Sequence, residues 1–241
     1  MEFTTIKGFK DILPGEVEVW QRVERRARRV FRSFGFQEIK LPLMEMTELF
    51  KRSIGEETDI VSKEMYTFTD GKGRNFSLRP EATASLVRAY IQHRLYQDSP
   101  LQKVFMIGPM FRHERPQKGR FRQFHQIDAE IFGDPGPKSD AEIILLAMTV
   151  FETVGLSGLS LQINSLGCPE CRAAFREELK KYLGQKKEGL CEDCRRRADT
   201  NPLRVFDCKV DGCKEVVAGA PSILEFVCGD CAQHFKGLQE Y

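Results

Sequence analysis

The first 167 residues contain no cysteine, and nowhere does the chain reach the roughly 18 uninterrupted apolar residues that a membrane-spanning helix needs. Its opening, MEFTTIKGFKDILPG, lacks the apolar run of a secretory leader. These absences argue against a membrane protein and predict a cytoplasmic one. An excess of either charge is missing as well. The formal net charge is +2, which argues against wholesale coating of nucleic acid and makes any anion site a local one. Internal repeats and low-complexity tracts are absent too.

What is present fits a globular protein of one large or two ordinary domains: 241 residues, 41% hydrophobic and 30% charged. All eight cysteines lie in the last third, as four short-spaced pairs: CPEC (Cys168, Cys171), CEDC (Cys191, Cys194), CKVDGC (Cys208, Cys213) and CGDC (Cys228, Cys231). In a reducing compartment such clustered thiols favour a metal over disulfides. Their onset sets a domain boundary near residue 165, giving domains 1–165 and 166–241.

Hydrophobic spacing predicts an amphipathic helix over 16–33 ended by Gly35, with an arginine-rich solvated face. FQEIKLP follows as a strand and MEMTELFKRS as a helix. EMYTFTDGKGRNFSLR forms a hairpin turning at Asp70-Gly71, and PEATASLVRAYIQHRL a helix with Pro80 in its first turn. KVFMIGPMF and FRQFHQIDAEIF are strands. SDAEIILLAMTVFETVG is a helix opened by a capping box of Ser139 and Glu142, and LSLQINS is a last short strand. The fold class is α+β, with helices flanking a mostly antiparallel sheet.

The most unusual stretch is FRHERPQKGRFRQFHQ, residues 111–126, where Arg112, Arg115, Lys118, Arg120 and Arg122 face a single carboxylate, Glu114. Strand alternation puts Arg122, Phe124, Gln126, Asp128 and Glu130 on one side of the second strand. Guanidinium groups therefore gather at the loop, an aromatic plate lies beside them, and amide and carboxylate groups follow deeper on the same face. Arginine forks match phosphate oxygens and a ring can stack on a base, so the set suits a nucleotide with a smaller polar ligand beyond it. An exposed basic hairpin is the plainer reading of the same residues.

FRHERPQKGRFRQFHQIDAE resembles motif 2 of class II aminoacyl-tRNA synthetases, and in detail that of the histidyl-tRNA synthetase family. GFKDILP, the motif 1-like LPLMEMTELFKRSIGEETDIV, LRPEATASLVRAYI and NPLRVFDCK agree with it. The resemblance implies a ligase that activates L-histidine with ATP and Mg2+ and transfers it to tRNA(His), working as a homodimer through the motif 1 region. By the same resemblance, Arg112 grips the α-phosphate, Glu114 and Arg120 hold the adenine end and the outer phosphates, and Phe124 stacks on adenine. Glu81, Thr83 and Gln126 bind the α-amino group, and Glu130 accepts from the imidazole. The family usually has glycine where this chain has Ala82. The four histidines show no metal-like spacing and receive no role in the chemistry.

The cysteine region resembles the insertion that follows motif 2 in this family and approaches the tRNA acceptor arm. Four pairs allow two structural Zn2+ sites of four thiolates, combined in any of three ways, or one site with spare thiols. Arg195, Arg196 and Arg197 are open to RNA phosphate or to water. Motif 3, the second histidine-binding segment and an anticodon-binding domain are not found before Tyr241, so the resemblance implies the first part of a longer synthetase. A synthetase-like regulatory subunit of ATP phosphoribosyltransferase is the alternative reading; Arg112, Arg120 and the long insertion weigh against it.

Overall fold

A computed structural model of the protein describes residues 3–55 and 58–241. Glu56 and Glu57, inside the motif 1-like stretch, lie outside the described residues. The chain divides into two compact units. One runs up to Pro135 and resumes over Ser139–Leu159; the other comprises Gly136–Lys138 and Ser160–Tyr241.

In the first unit, helix α1 (Val17–Ser33) buries Ala27, Val30 and Phe31 and ends before Gly35, whose φ of +80° suits a residue without a Cβ. Two three-stranded sheets follow. The first has the order β1-β5-β6, with β1 (Gln37–Glu38) parallel to β5 (Gln102–Phe111) and β5 antiparallel to β6 (Gln123–Phe132). The second, β2-β4-β3, is antiparallel throughout: β2 (Met44–Met46), β3 (Thr67–Thr69) and β4 (Asn75–Leu78).

Alternation along β5 and β6 gives the first sheet two different faces. Phe105 of β5 packs with Ala27, Val30 and Phe31 of α1 and with Leu146 and Val150 of helix α4 (Pro137–Val154). Phe31 and Phe105 stack with ring centroids 4.3 Å apart. Burying each such ring stabilises the fold by about 1.5–3 kcal/mol. On the other face, Val104, Met106 and Met110 pack with Ala82 and Leu86 at helix α3 (Thr83–Gln92). Ala82 is fully buried there, so its methyl serves as core.

Several local expectations change. The strand over 36–42 shortens to Gln37–Glu38. The helix expected from Met44 is α2 (Thr47–Ile54), because Met44–Met46 finds a free edge on β4 and pairs there. Helix α3 starts at Thr83 rather than near Pro80, because Glu81 folds back and its carboxylate accepts from the Ala84 N–H at 3.1 Å. The capping box does not form. Ser139 lies inside α4 and donates to Asp134 at 2.6 Å, while Glu142 pairs with Lys103 of β5. Residues 159–165 are irregular, since a strand needs a neighbour and none pairs with them among the described residues.

The second unit is built mainly of helices: α5 (Pro169–Gln185), α6 (Glu192–Thr200), α7 (Asp211–Ala218) and α8 (Gly229–Glu240). Leu179 and Leu183 of α5 form its core with Cys194 of α6, Val205 and Cys213. Among the described residues no helix is long and apolar enough to cross a membrane.

Candidate active site

The site is built on β5, β6 and the segment leading into α3. Arg79, at the end of β4, anchors it. Its guanidinium is buried, and donates from Nε to the Pro109 carbonyl at 2.9 Å and from Nη1 to the Leu41 carbonyl at 3.0 Å. Gly108 makes this possible, because a Cβ there would lie 2.6 Å from Arg79 Nη2. The backbone of Arg79 also bonds to Leu43 and Phe111, which ties the Pro80–Glu81 turn against the end of β5. Desolvation lowers the Arg79 pKa, opposed by the charges of Asp128 and Glu45.

Arg112 leaves β5 here. Its Nε donates to the Pro80 carbonyl at 2.8 Å and its guanidinium carbon stands 5.2 Å from the centroid of Phe124. Glu114 and Arg120, predicted to share a nucleotide, are joined across the loop by an ion pair of 3.1 Å. Arg122 is used structurally: its Nε donates to the Glu114 carbonyl and its backbone N–H to Gly8. Gly8 has φ +91°, and a Cβ on it would meet the Arg122 side chain at 2.7 Å, which accounts for the glycine of GFKDILP. Phe9, next along, packs on Tyr66 and Phe111.

On β6, Phe124, Gln126, Asp128 and Glu130 pair across from Met110, Gly108, Met106 and Val104, so the row faces α3. The Thr83 hydroxyl donates to Glu130 Oε1 at 2.7 Å. Burial raises the Glu130 pKa; the Thr83 bond opposes this, and the charge of Glu81 adds to it. Two buried oxygens, Gln126 Oε1 and Asp128 Oδ2, have no hydrogen-bond partner among the described residues. Burial is also the main reason the Asp128 pKa rises to about 6, with Glu81 and Glu130 adding repulsion and Arg79 and Arg112 opposing it.

The arrangement thus gathers two guanidinium groups and a ring at one end, and three carboxylates with an amide oxygen at the other. His125 points the other way, with its ring 4.8 Å from Trp20 of α1, and burial lowers its pKa. Sequence patterning singled out neither Arg79 nor Glu64. The Glu64 carbonyl accepts from the His113 N–H, and burial together with Glu114 raises the Glu64 side-chain pKa. The signal available for Arg79 was a charged residue between a strand and a proline.

In the second unit the eight sulfurs form two groups: Cys168, Cys171, Cys228 and Cys231, and Cys191, Cys194, Cys208 and Cys213, each with sulfurs within 4.8 Å of one another. Cys168, Cys191 and Cys228 each sit at a helix N-cap with a second cysteine three residues on, so both thiols of a pair share the positive end of the helix. Backbone N–H groups point at sulfur as well, from Cys228 to Cys171 at 3.1 Å and from Cys191 to Cys213 at 3.2 Å. Arg195 is occupied locally, donating to the carbonyls of Lys187, Glu188 and Leu190, and Arg196 pairs with Asp193.

A family profile described as Histidyl-tRNA synthetase matches residues 8–187. The chain belongs to the histidyl-tRNA synthetase family. It is 59% identical over 235 residues to the histidine–tRNA ligase of Desulforapulum autotrophicum, covering 98% of this chain and 55% of that protein. The apo histidyl-tRNA synthetase of S. aureus superposes with a TM-score of 0.73 at 30% identity, covering all of this chain and 54% of that one. This α+β fold is thus that of a class II synthetase. A Bacillus halodurans protein titled as an ATP phosphoribosyltransferase regulatory subunit/histidyl-tRNA synthetase shares the fold, with a TM-score of 0.66 at 17% identity. The chain spans about half the length of the curated relatives it matches.

Proposed function

We propose that the chain carries ATP- and histidine-binding parts of a histidine–tRNA ligase. The observation that carries this reading is the single face of β6, where the Phe124 ring, with the Arg112 guanidinium beside it and the Glu114–Arg120 pair in the adjoining loop, runs directly into an acceptor-rich end. In the first step, a carboxylate oxygen of histidine attacks the α-phosphorus of ATP, the bond to the bridging oxygen breaks, and pyrophosphate leaves. Arg112 stabilises the charge growing on the α-phosphate, Phe124 stacks on adenine, and Glu114 and Arg120 exchange their mutual ion pair for contacts with the nucleotide. Magnesium accompanies ATP as part of the substrate. Glu81 and Gln126 accept from the α-ammonium; Thr83, which the resemblance assigns to that group too, donates its hydroxyl to Glu130 and so steadies the acceptor of the imidazole. In the second step a terminal ribose hydroxyl of tRNA(His) attacks the adenylate carbonyl and AMP leaves.

The regulatory-subunit alternative is less well supported, since that likeness rests on fold alone while the ligase relative is 59% identical. The exposed Leu43, Met44 and Met46 support a homodimer through the motif 1 region. The second unit serves as the insertion domain of this cytoplasmic enzyme. Its two thiol groups fit Zn2+: a tetrahedral site with Zn–S near 2.3 Å needs sulfurs about 3.8 Å apart, and Cys191 and Cys208 are 3.9 Å apart, Cys168 and Cys171 3.3 Å. Of the three pairings, this geometry supports 168/171 with 228/231 and 191/194 with 208/213. Zinc there would hold helix ends together and take no part in the chemistry.

The test is charging of unfractionated tRNA with labelled histidine by protein expressed from the complete reading frame. Histidylation of one tRNA species supports the reading. Absence of charging, with stimulation of an ATP phosphoribosyltransferase instead, overturns it.

A further inference from the structure

Asp128 is the one carboxylate of this face that the resemblance leaves without a role. It stands on β6 between Gln126 and Glu130, paired across from Met106. Its Oδ2 is shielded from solvent and has no hydrogen-bond partner among the described residues, and Gln126 Oε1 is in the same condition. A buried acceptor without a donor costs about 1–3 kcal/mol, and more when it is charged. Two side by side on one strand face make a costly arrangement that a purely structural role does not explain.

The charges around Asp128 do not remove that cost. From the segment before α3 comes Glu81 and from its own strand Glu130, both negative; from the ends of β4 and β5 come Arg79 and Arg112. Arg79 already spends Nε and Nη1 on main-chain carbonyls, and Arg112 spends Nε on Pro80. Neither arginine donates to Asp128 Oδ2 or to Gln126 Oε1, and a donor-rich cation satisfies both oxygens.

We propose that Asp128 is a substrate-binding residue that accepts one N–H of the amino acid's α-ammonium. An ammonium has three donors, and three acceptors are available: the Glu81 carboxylate, Gln126 Oε1 and Asp128 Oδ2. Gln126 and Asp128 are two positions apart on one strand, roughly 7 Å between Cα atoms, so both side chains can reach a common nitrogen. Glu81 precedes Ala82, which packs with Met106, the residue paired with Asp128, and this puts the third acceptor in the same neighbourhood. Thr83, whose hydroxyl proton goes to Glu130, is then the positioning residue for the imidazole acceptor. The inference rests on the histidine-activating reading above and extends it to the residue that selects the amine.

The test is pyrophosphate exchange by the complete protein and its Asp128→Asn variant, with two competitive inhibitors. L-Histidinol keeps the amine, and 3-(imidazol-4-yl)propionate lacks it. Loss of one charged acceptor should raise the KM for histidine and the Ki for histidinol at least about tenfold. The KM for ATP and the Ki for the propionate should stay within about twofold, and Asp128→Glu should recover part of the loss. Equal weakening of both inhibitors, an unchanged histidine KM, or a variant that melts below the wild type would overturn the proposal. If the wild-type protein itself shows no histidine-dependent exchange, the broader reading falls and this inference with it.

Discussion

Replacing Asp128 with asparagine should stabilise the unliganded protein at neutral pH, because the site holds a charge the fold does not need. The native carboxyl titrates near 6, above its ordinary 3.8. The folded state therefore binds the proton more tightly than the unfolded chain. Between those two values the folded state carries more protons, and stability falls as pH rises; above about pH 6 the loss is complete. Taken at face value the displacement corresponds to about 3 kcal/mol, at ~1.4 kcal/mol per pH unit. The side chain is only half-buried, and solvent screening reduces this to about 1–2 kcal/mol. Asparagine keeps the shape, removes the charge, and offers its amide hydrogens to the neighbouring Glu81 and Glu130. At about 2–4 °C per kcal/mol for a chain of this size, the melting temperature should rise by roughly 2–8 °C near pH 7.5. The gain should shrink to about a third near pH 4.5, where the native carboxyl is already protonated. Circular-dichroism melts of both proteins at the two pH values read this directly. Destabilisation near neutrality, or an equal shift at both pH values, would refute the reasoning.

Other perturbations follow from the same geometry. Gly108→Ala should cost about 2–4 kcal/mol, since the new methyl displaces a buried guanidinium from its carbonyls; a denaturation midpoint equal to wild type would contradict this. Glu130→Gln should weaken histidine binding by about 1.5–3 kcal/mol while leaving ATP affinity nearly unchanged, because only the imidazole loses a charged acceptor; calorimetry with each ligand separates the two. Protein purified without chelator should contain about two zinc ions per chain, as two four-thiolate sites require. Cys194→Ser, in the core, should loosen the helical unit as well as losing metal, whereas Cys228→Ser, at an exposed thiol, should lose one ion with the α6 core intact. Metal analysis and proteolysis of each variant provide the check.

The long elements were legible in the sequence because each carries its own extended pattern: α1 has apolar residues at helical spacing, β5 is a nearly unbroken apolar run, and β6 alternates its side chains between two faces. The row Phe124–Gln126–Asp128–Glu130 was legible for the same reason, since strand alternation alone fixes its common side. What was not legible depends on partners distant in the chain. Met44–Met46 carries no strand signal of its own and is extended because β4 offers it an edge. The Ser139–Glu142 pattern suits a cap, but Asp134 and Lys103 compete for both side chains and win. Arg79 carried only the weak local signal of a charged residue between a strand and a proline; its role comes from Gly108, which leaves room for it 29 positions along the chain. The grouping of the cysteine pairs likewise needed the packing of α5 to α8, because spacing alone allows three combinations.

The central claim, that one face of β6 joins a phosphate-binding end to an amino-acid-binding end, is tested most directly by amino-acid-dependent exchange of labelled pyrophosphate into ATP. The assay should use protein from the complete reading frame, offered each of the twenty amino acids in turn, beside its Arg112→Ala variant. Exchange should depend on histidine alone. Removing one preorganised cation should lower its rate about 10²–10³-fold, with little change in the histidine KM. Exchange supported equally by other amino acids, or an Arg112→Ala variant as fast as wild type, would contradict the account.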